Sequence, residues 1–143
     1  MNAEQDPLHQ PSAPIVIEPV VDLQLQMLIR LIGQDAEAAL PLTLVVAGGF
    51  LYGDLISHEA WTAEWARSLR TTDGPGAALL ERFPEQVDQA VADKQGHPAP
   101  QRLPQWIHLR DAIGLTGARR PLRMPLWRGR LADVSGWSLG RPD

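Results

Sequence analysis

The chain has 143 residues, 44% hydrophobic and 21% charged, a length and balance that suit one globular domain. It contains no cysteine, which excludes a disulfide framework and a zinc–thiolate site, and no run of 18 apolar residues free of charged or turn residues, which excludes a membrane-spanning helix. The net charge of −4 conceals an asymmetry: residues 1–100 hold 5 Lys/Arg against 14 Asp/Glu, whereas residues 101–143 hold 8 against 3.

Two readings of that asymmetry stay open. Separate charge blocks mark an anion-binding tail, or they pair with one another inside one folded domain. Residues 1–20 carry Pro7, Pro11, Pro14 and Pro19, which deny helix or a central strand, so an extended or disordered acidic arm is predicted there, with one domain over 21–143. The arm has no basic region followed by an apolar run, so it is not a secretory signal, and a cytoplasmic location is the default.

Next comes "DLQLQMLIRLIGQDAEAAL", with Leu25, Leu28, Ile29 and Ile32 at helical spacing and Asp22 placed to cap the first turn. This predicts an amphipathic helix closing near Gly33 or Leu40. In "LTLVVAGGFLYGDLIS" two strand-like runs, about 42–47 and 50–56, flank Gly48-Gly49, which suits a tight hairpin turn. Ser57 is positioned to cap a helix through "HEAWTAEWARSLR", with Trp61, Trp65 and Leu69 as its apolar stripe. After the break at "TTDGPG", a further helix is predicted with Leu80, Phe83, Val87 and Val91 facing inward and Pro84 kinking or splitting it.

The last third is strand-like. In "QWIHLRDA", Trp106, His108 and Arg110 alternate with Ile107, Leu109 and Asp111; in "LWRGRLADV", Trp127, Gly129, Leu131 and Asp133 alternate with Leu126, Arg128, Arg130 and Ala132. The connecting "GLTGARRPLRMP" lacks a period and is read as a loop. The order predicts an α+β fold: a small, strongly bent antiparallel sheet, open or barrel-like, with an N-terminal helix and one or two helices inserted between strands.

No motif asks for catalysis, a cofactor or a metal. Gly136-Trp137-Ser138-Leu139-Gly140 spells G-x-S-x-G, but only four residues follow Leu139, leaving no room for the helix and later histidine of a nucleophile elbow. Gly136 and Gly140 are better read as permitting a bulge or bend in a terminal strand. His58-Glu59 is followed by Thr62 where H-E-x-x-H needs its second histidine, and His9 and His97 lie in proline-containing segments. His108 is read as a strand side chain with a hydrogen-bond partner. Gly48, Gly49 and Gly53 fit neither phosphate-loop pattern. Arg119, Arg120, Arg123, Arg128 and Arg130, interleaved with Trp127 and Trp137, leave open an RNA-binding small barrel of the Sm-like type as the alternative function, against an acidic surface that would repel a polyanion.

Three segments, "LTLVVAGGFLYGDLISHEAW", "WIHLRDA" and "LWRGRLADVSGWSLG", resemble the gas vesicle accessory protein GvpU family: a G-x-L-I-S strand, an I-H-L-x-x-A strand and a closing W-R-G-R-[LI]-x-x-V-x-G-[FW]-x-L-G. The resemblance implies a non-catalytic, cytoplasmic accessory protein acting through protein contacts, with the gas vesicle shell or its own copies as partners. Attraction between the acidic and basic parts of separate copies would give salt-sensitive self-association. The residues expected to carry an interaction surface are Arg128 and Arg130, with Trp127 and Trp137 supporting the same strands.

Overall fold

A computed structural model describes residues 20–80, 82–95, 102–117 and 120–143. The arm expected at 1–20 therefore lies outside the described residues except for Val20, as do His9, His97 and Arg119. The elements in chain order are α1 (Leu23–Ile32), β1 (Leu40–Val46), β2 (Gly49–Leu55), α2 (His58–Arg70), α3 (Ala77–Leu80), α4 (Phe83–Gln95), β3 (Trp106–Leu115), β4 (Leu122–Arg130), a 3-10 turn (Leu131–Asp133) and β5 (Val134–Leu139). The fold is α+β, as expected. All five strands form one antiparallel sheet in the order β4-β3-β2-β1-β5.

That order makes β4 and β5 opposite edges, yet three residues join them. In a flat sheet the edges would lie about 19 Å apart, four strand spacings, whereas three residues of 3-10 helix advance only about 6 Å. The sheet must therefore curl until its edges approach at that end. No hydrogen-bonded pairing links β4 to β5, so the sheet is strongly bent and open rather than a closed barrel.

Two bulges help the curl, since an extra residue in one strand bends it and increases its twist. In β3 the register to β2 slips between Tyr52 and Asp54, and Asp111 takes up the slack at φ 51, a left-handed conformation that aspartate tolerates better than most residues. Gly53 faces this bulge so closely that a Cβ there would lie 2.9 Å from the Arg110 carbonyl oxygen, which accounts for the glycine in "GDLIS". In β5 the register to β1 slips between Val45 and Val46, where the Ser135 hydroxyl donates to the Val45 carbonyl at 3.2 Å.

The inner face of the curl holds the core. Leu42, Leu44, Leu51, Leu55, Ile107, Leu109, Ala112 and Leu131 are buried there, with Trp127 and Trp137 packed against them from the two edges. Helix α1 joins this core through Leu25, flanked by Leu28, Ile29 and Ile32. Asp22 caps it by accepting from the Leu25 amide at 2.8 Å, and it ends at Gly33.

Several expectations need correction. The hairpin turn is Ala47-Gly48, with only Gly48 at positive φ; Gly49 belongs to β2, where a Cβ would collide with the Leu115 carbonyl. The segment read as a long loop is half strand, because β3 runs to Leu115 and β4 begins at Leu122. Pairing of β3 with β2 and β4 overrides its lack of period. The strand through "LWRGRLADV" stops at Arg130, and Leu131 and Asp133 lie in the 3-10 turn. Pro84 splits the third helical region into α3 and α4 by taking the first turn of α4, where its missing N–H costs nothing. Leu80 and Phe83 do not turn inward; they are 42% and 45% exposed.

Candidate interaction site

Helices α2, α3 and α4 are inserted between β2 and β3, and α2 packs on the outer face of β3. The junction is short and fixed. Leu55 and Ile56 are buried, the Ile56 amide donates to the His108 carbonyl at 3.1 Å, and Ser57 caps α2 by accepting from the Ala60 amide at 3.0 Å. Farther along, Arg110 of β3 donates to Glu64 of α2 at 2.9 Å, a hydrogen bond that raises the guanidinium pKa and ties helix to sheet. Helix α2 thus begins with His58 above β3 and turns Trp61 toward the same strand.

The register pairs His108 with Arg128 across β3 and β4. His108 is 5% exposed, an unusual place for an imidazole without partners. Its Nε2 lies 3.1 Å from Arg128 Nε and 3.1 Å from His58 Nδ1, while His58 Nε2 lies 3.1 Å from Asp88 Oδ1 on α4. The Arg128 guanidinium carbon sits 4.2 Å from the centre of the Trp106 ring, a cation–π stack. One polar chain therefore runs from α4 through α2 and β3 to β4.

Donor and acceptor roles follow from chemistry. Arginine only donates, so His108 Nε2 accepts and its proton resides on Nδ1. His58 Nδ1, facing the same lone pair, must then donate, while His58 Nε2 faces a carboxylate that only accepts. Burial, followed by the charges of His58 and Arg128, pushes the His108 pKa down to about 3, so this ring remains neutral.

Beside this chain lies a groove of about 260 Å³ lined by His58, Trp61, Thr62, Trp65, Phe83, Pro84, Val87, Asp88 and Arg128. Its floor is aromatic. Trp61 stacks on Trp65 with ring centres 5.6 Å apart, and Phe83 meets Trp65 edge-on at 5.7 Å. The buried indole N–H of Trp61 has no acceptor among the described residues. Arg128 and Asp88 place opposite charges on the groove lining.

The four residues singled out from sequence divide between the two faces. Arg128 is exposed on the outer face and lines the groove. Arg130 shares its strand phase but pairs with Asp133 at 3.1 Å, away from the groove. Trp127 and Trp137 point the other way, into the inner core. Trp127 lies over Gly129, where a Cβ would fall 2.2 Å from the indole, so the glycine of W-R-G-R is the seat of that ring. Trp127 and Arg130 also line a second pocket, with Val46, Ala47, Gly129 and Asp133. Sequence reading missed Trp106, Asp88 and His58 as members of the site; the usable signal was His108 and Arg128, polar residues in the outer-face phase of two adjacent strands.

Ser138 of the G-x-S-x-G match is exposed on β5, and the strand is followed by a bend at Gly140 rather than by a helix. Among the described residues no group of three or more His, Asp or Glu could hold a metal ion, and no helix is long and apolar enough to cross a membrane. In comparisons with known proteins, the family model described as "Gas vesicle protein GvpU-like" matches residues 22–142. No curated protein and no solved structure matches the chain.

Proposed function

The chain belongs to the GvpU-like gas vesicle protein family, and from that premise we propose that it is a non-catalytic cytoplasmic accessory protein that acts by protein contacts, with vesicle shell protein or its own copies as partners. The observation that supports this reading is a convergence. The segments that resemble the family, "GDLISHEAW", "WIHLRDA" and "LWRGR", supply His58, His108 and Arg128, which meet in one hydrogen-bonded chain beside an apolar groove. An aromatic groove on a small domain suits protein recognition better than a reaction that would need an activated nucleophile or a positioned acid and base.

The charge distribution supports self-contact as one route. Two basic residues of the last third pair with the acidic part of the same chain, Arg110 with Glu64 and Arg141 with Asp54, while Arg120 and Arg123 are exposed. A capture experiment with the full chain as bait, in a vesicle-forming cell, is expected to recover the shell protein. Sedimentation of the pure chain is expected to show association that weakens as salt rises. A chain that captures no shell protein and stays monomeric at every salt concentration sinks the proposal. The RNA-binding alternative has less support, because Trp127 and Trp137 pack partly buried against the core.

A further inference from the structure

We propose that the groove between α2 and α4 is a peptide-docking site whose ligand is a partner segment presenting a branched or aromatic side chain beside a carboxylate, the apolar group entering over Trp61, Trp65, Phe83 and Val87 and the carboxylate meeting Arg128. This deepens the accessory-protein reading and rests on it. Size comes first. A volume of about 260 Å³ lies below the roughly 300–1,000 Å³ of small-molecule and cofactor sites, and suits one or two side chains of a peptide.

Charge selects the second element. Arg128 spends Nε on the buried His108 and its face on Trp106, which fixes the guanidinium plane. Its two terminal nitrogens have no partner among the described residues, and a fixed pair of N–H donors matches the two oxygens of a carboxylate. Because the orientation is set before binding, little side-chain freedom remains to be lost. Asp88 gives the lining its other charge. Oδ1 is taken by His58, leaving Oδ2 to accept a peptide N–H and so to set the direction of the docked chain.

The occupant is assigned to another protein rather than to residues 1–19 of this chain. The family match spans all groove residues and begins only at residue 22, so the built site belongs to the part of the chain that the family shares. A polyanion could also meet Arg128, but the groove floor is apolar and the net charge of the chain is −4.

The test pans the full chain against a phage-displayed library of random peptides. The most enriched sequence is then measured by fluorescence anisotropy as a labelled synthetic peptide. Enrichment of a motif joining Leu, Ile, Phe or Trp to a neighbouring Asp or Glu is expected. Arg128→Ala should weaken the peptide about ten- to a hundredfold, the range for loss of charged hydrogen bonds, and Arg128→Lys should fall between, keeping charge but losing the fork. Val87→Glu, on the groove wall, should abolish binding while circular dichroism stays unchanged, which keeps the test valid should Arg128→Ala disturb the fold. The proposal is overturned if no motif enriches, if the motif lacks an acid, or if the peptide binds Val87→Glu and Arg128→Lys as it binds the parent chain. It is equally overturned if a single-stranded oligouridine binds more tightly than the peptide and competes with it. Any of these results leaves the accessory role standing as long as the full chain still captures shell protein, so the two failures are distinguishable.

Discussion

The inner face of the sheet carries leucines, isoleucine, alanine and two tryptophans, closed over by α1; the outer face carries a buried histidine, two arginines and a second histidine reaching down from α2. The same strands build both. In β4, Trp127 goes inward over Gly129 while Arg128 goes outward to His108 and Trp106. Alternation along one strand thus separates the face that packs the core from the face that carries the proposed docking groove. If that separation is real, inner-face substitutions should act on stability, and outer-face substitutions on recognition and pH response.

The largest effect is expected inside. Leu109 is fully buried at the centre of the core, and Leu109→Ala should lower the unfolding free energy by about 2–5 kcal/mol, the range for leucine deletions that leave a cavity. Chemical denaturation measures this directly. A loss below about 1 kcal/mol would show that the inner face is not the principal core, and the comparison between faces would collapse.

The next effect is smaller and depends on pH. His108 is held at about 3 in the folded chain, against about 6.5 for an unperturbed histidine. Between these values the unfolded chain binds one proton more than the folded chain, so stability rises with pH across this window. The slope from this residue is at most about 1.4 kcal/mol per pH unit, flattening above about pH 6.5. Acidification from pH 6.5 to pH 4.5 should therefore destabilise the protein through His108. In His108→Gln, which keeps an acceptor for Arg128 but cannot titrate, that part of the slope should vanish. Equal slopes in the parent and the variant would assign the acid sensitivity elsewhere.

Much of the inner face was legible from sequence because burial imposes a period. The stripe Leu25, Leu28, Ile29 and Ile32 placed α1, Asp22 and Ser57 announced their caps, and the alternation through Trp106–Arg110 placed β3. The failures are equally physical. A bulge at Asp111 shifts the phase, so "DAIGL" and "LRMP" lost the alternation that would have marked them as strand. Phe83 looked like a core residue because hydrophobicity does not distinguish burial in a core from the wall of an open groove. The outer site was only half visible. His108 and Arg128 share a phase in the sequence, but their pairing depends on register, and the approach of His58 and Asp88 depends on how α2 and α4 fold back over the sheet.

The smallest expected effect probes the join between α4 and the rest of the site. His58 and Asp88 are each about half exposed, so their pair is worth on the order of a few tenths of a kcal/mol. Its coupling is more informative than its size. Asp88→Ala should lower the unfolding free energy slightly in the parent chain, and that loss should vanish in a His58→Ala background, as a double-mutant cycle by chemical denaturation would show. A loss that is the same in both backgrounds would mean that Asp88 acts only as a helix surface charge, and that the polar chain ends at His58 rather than at α4.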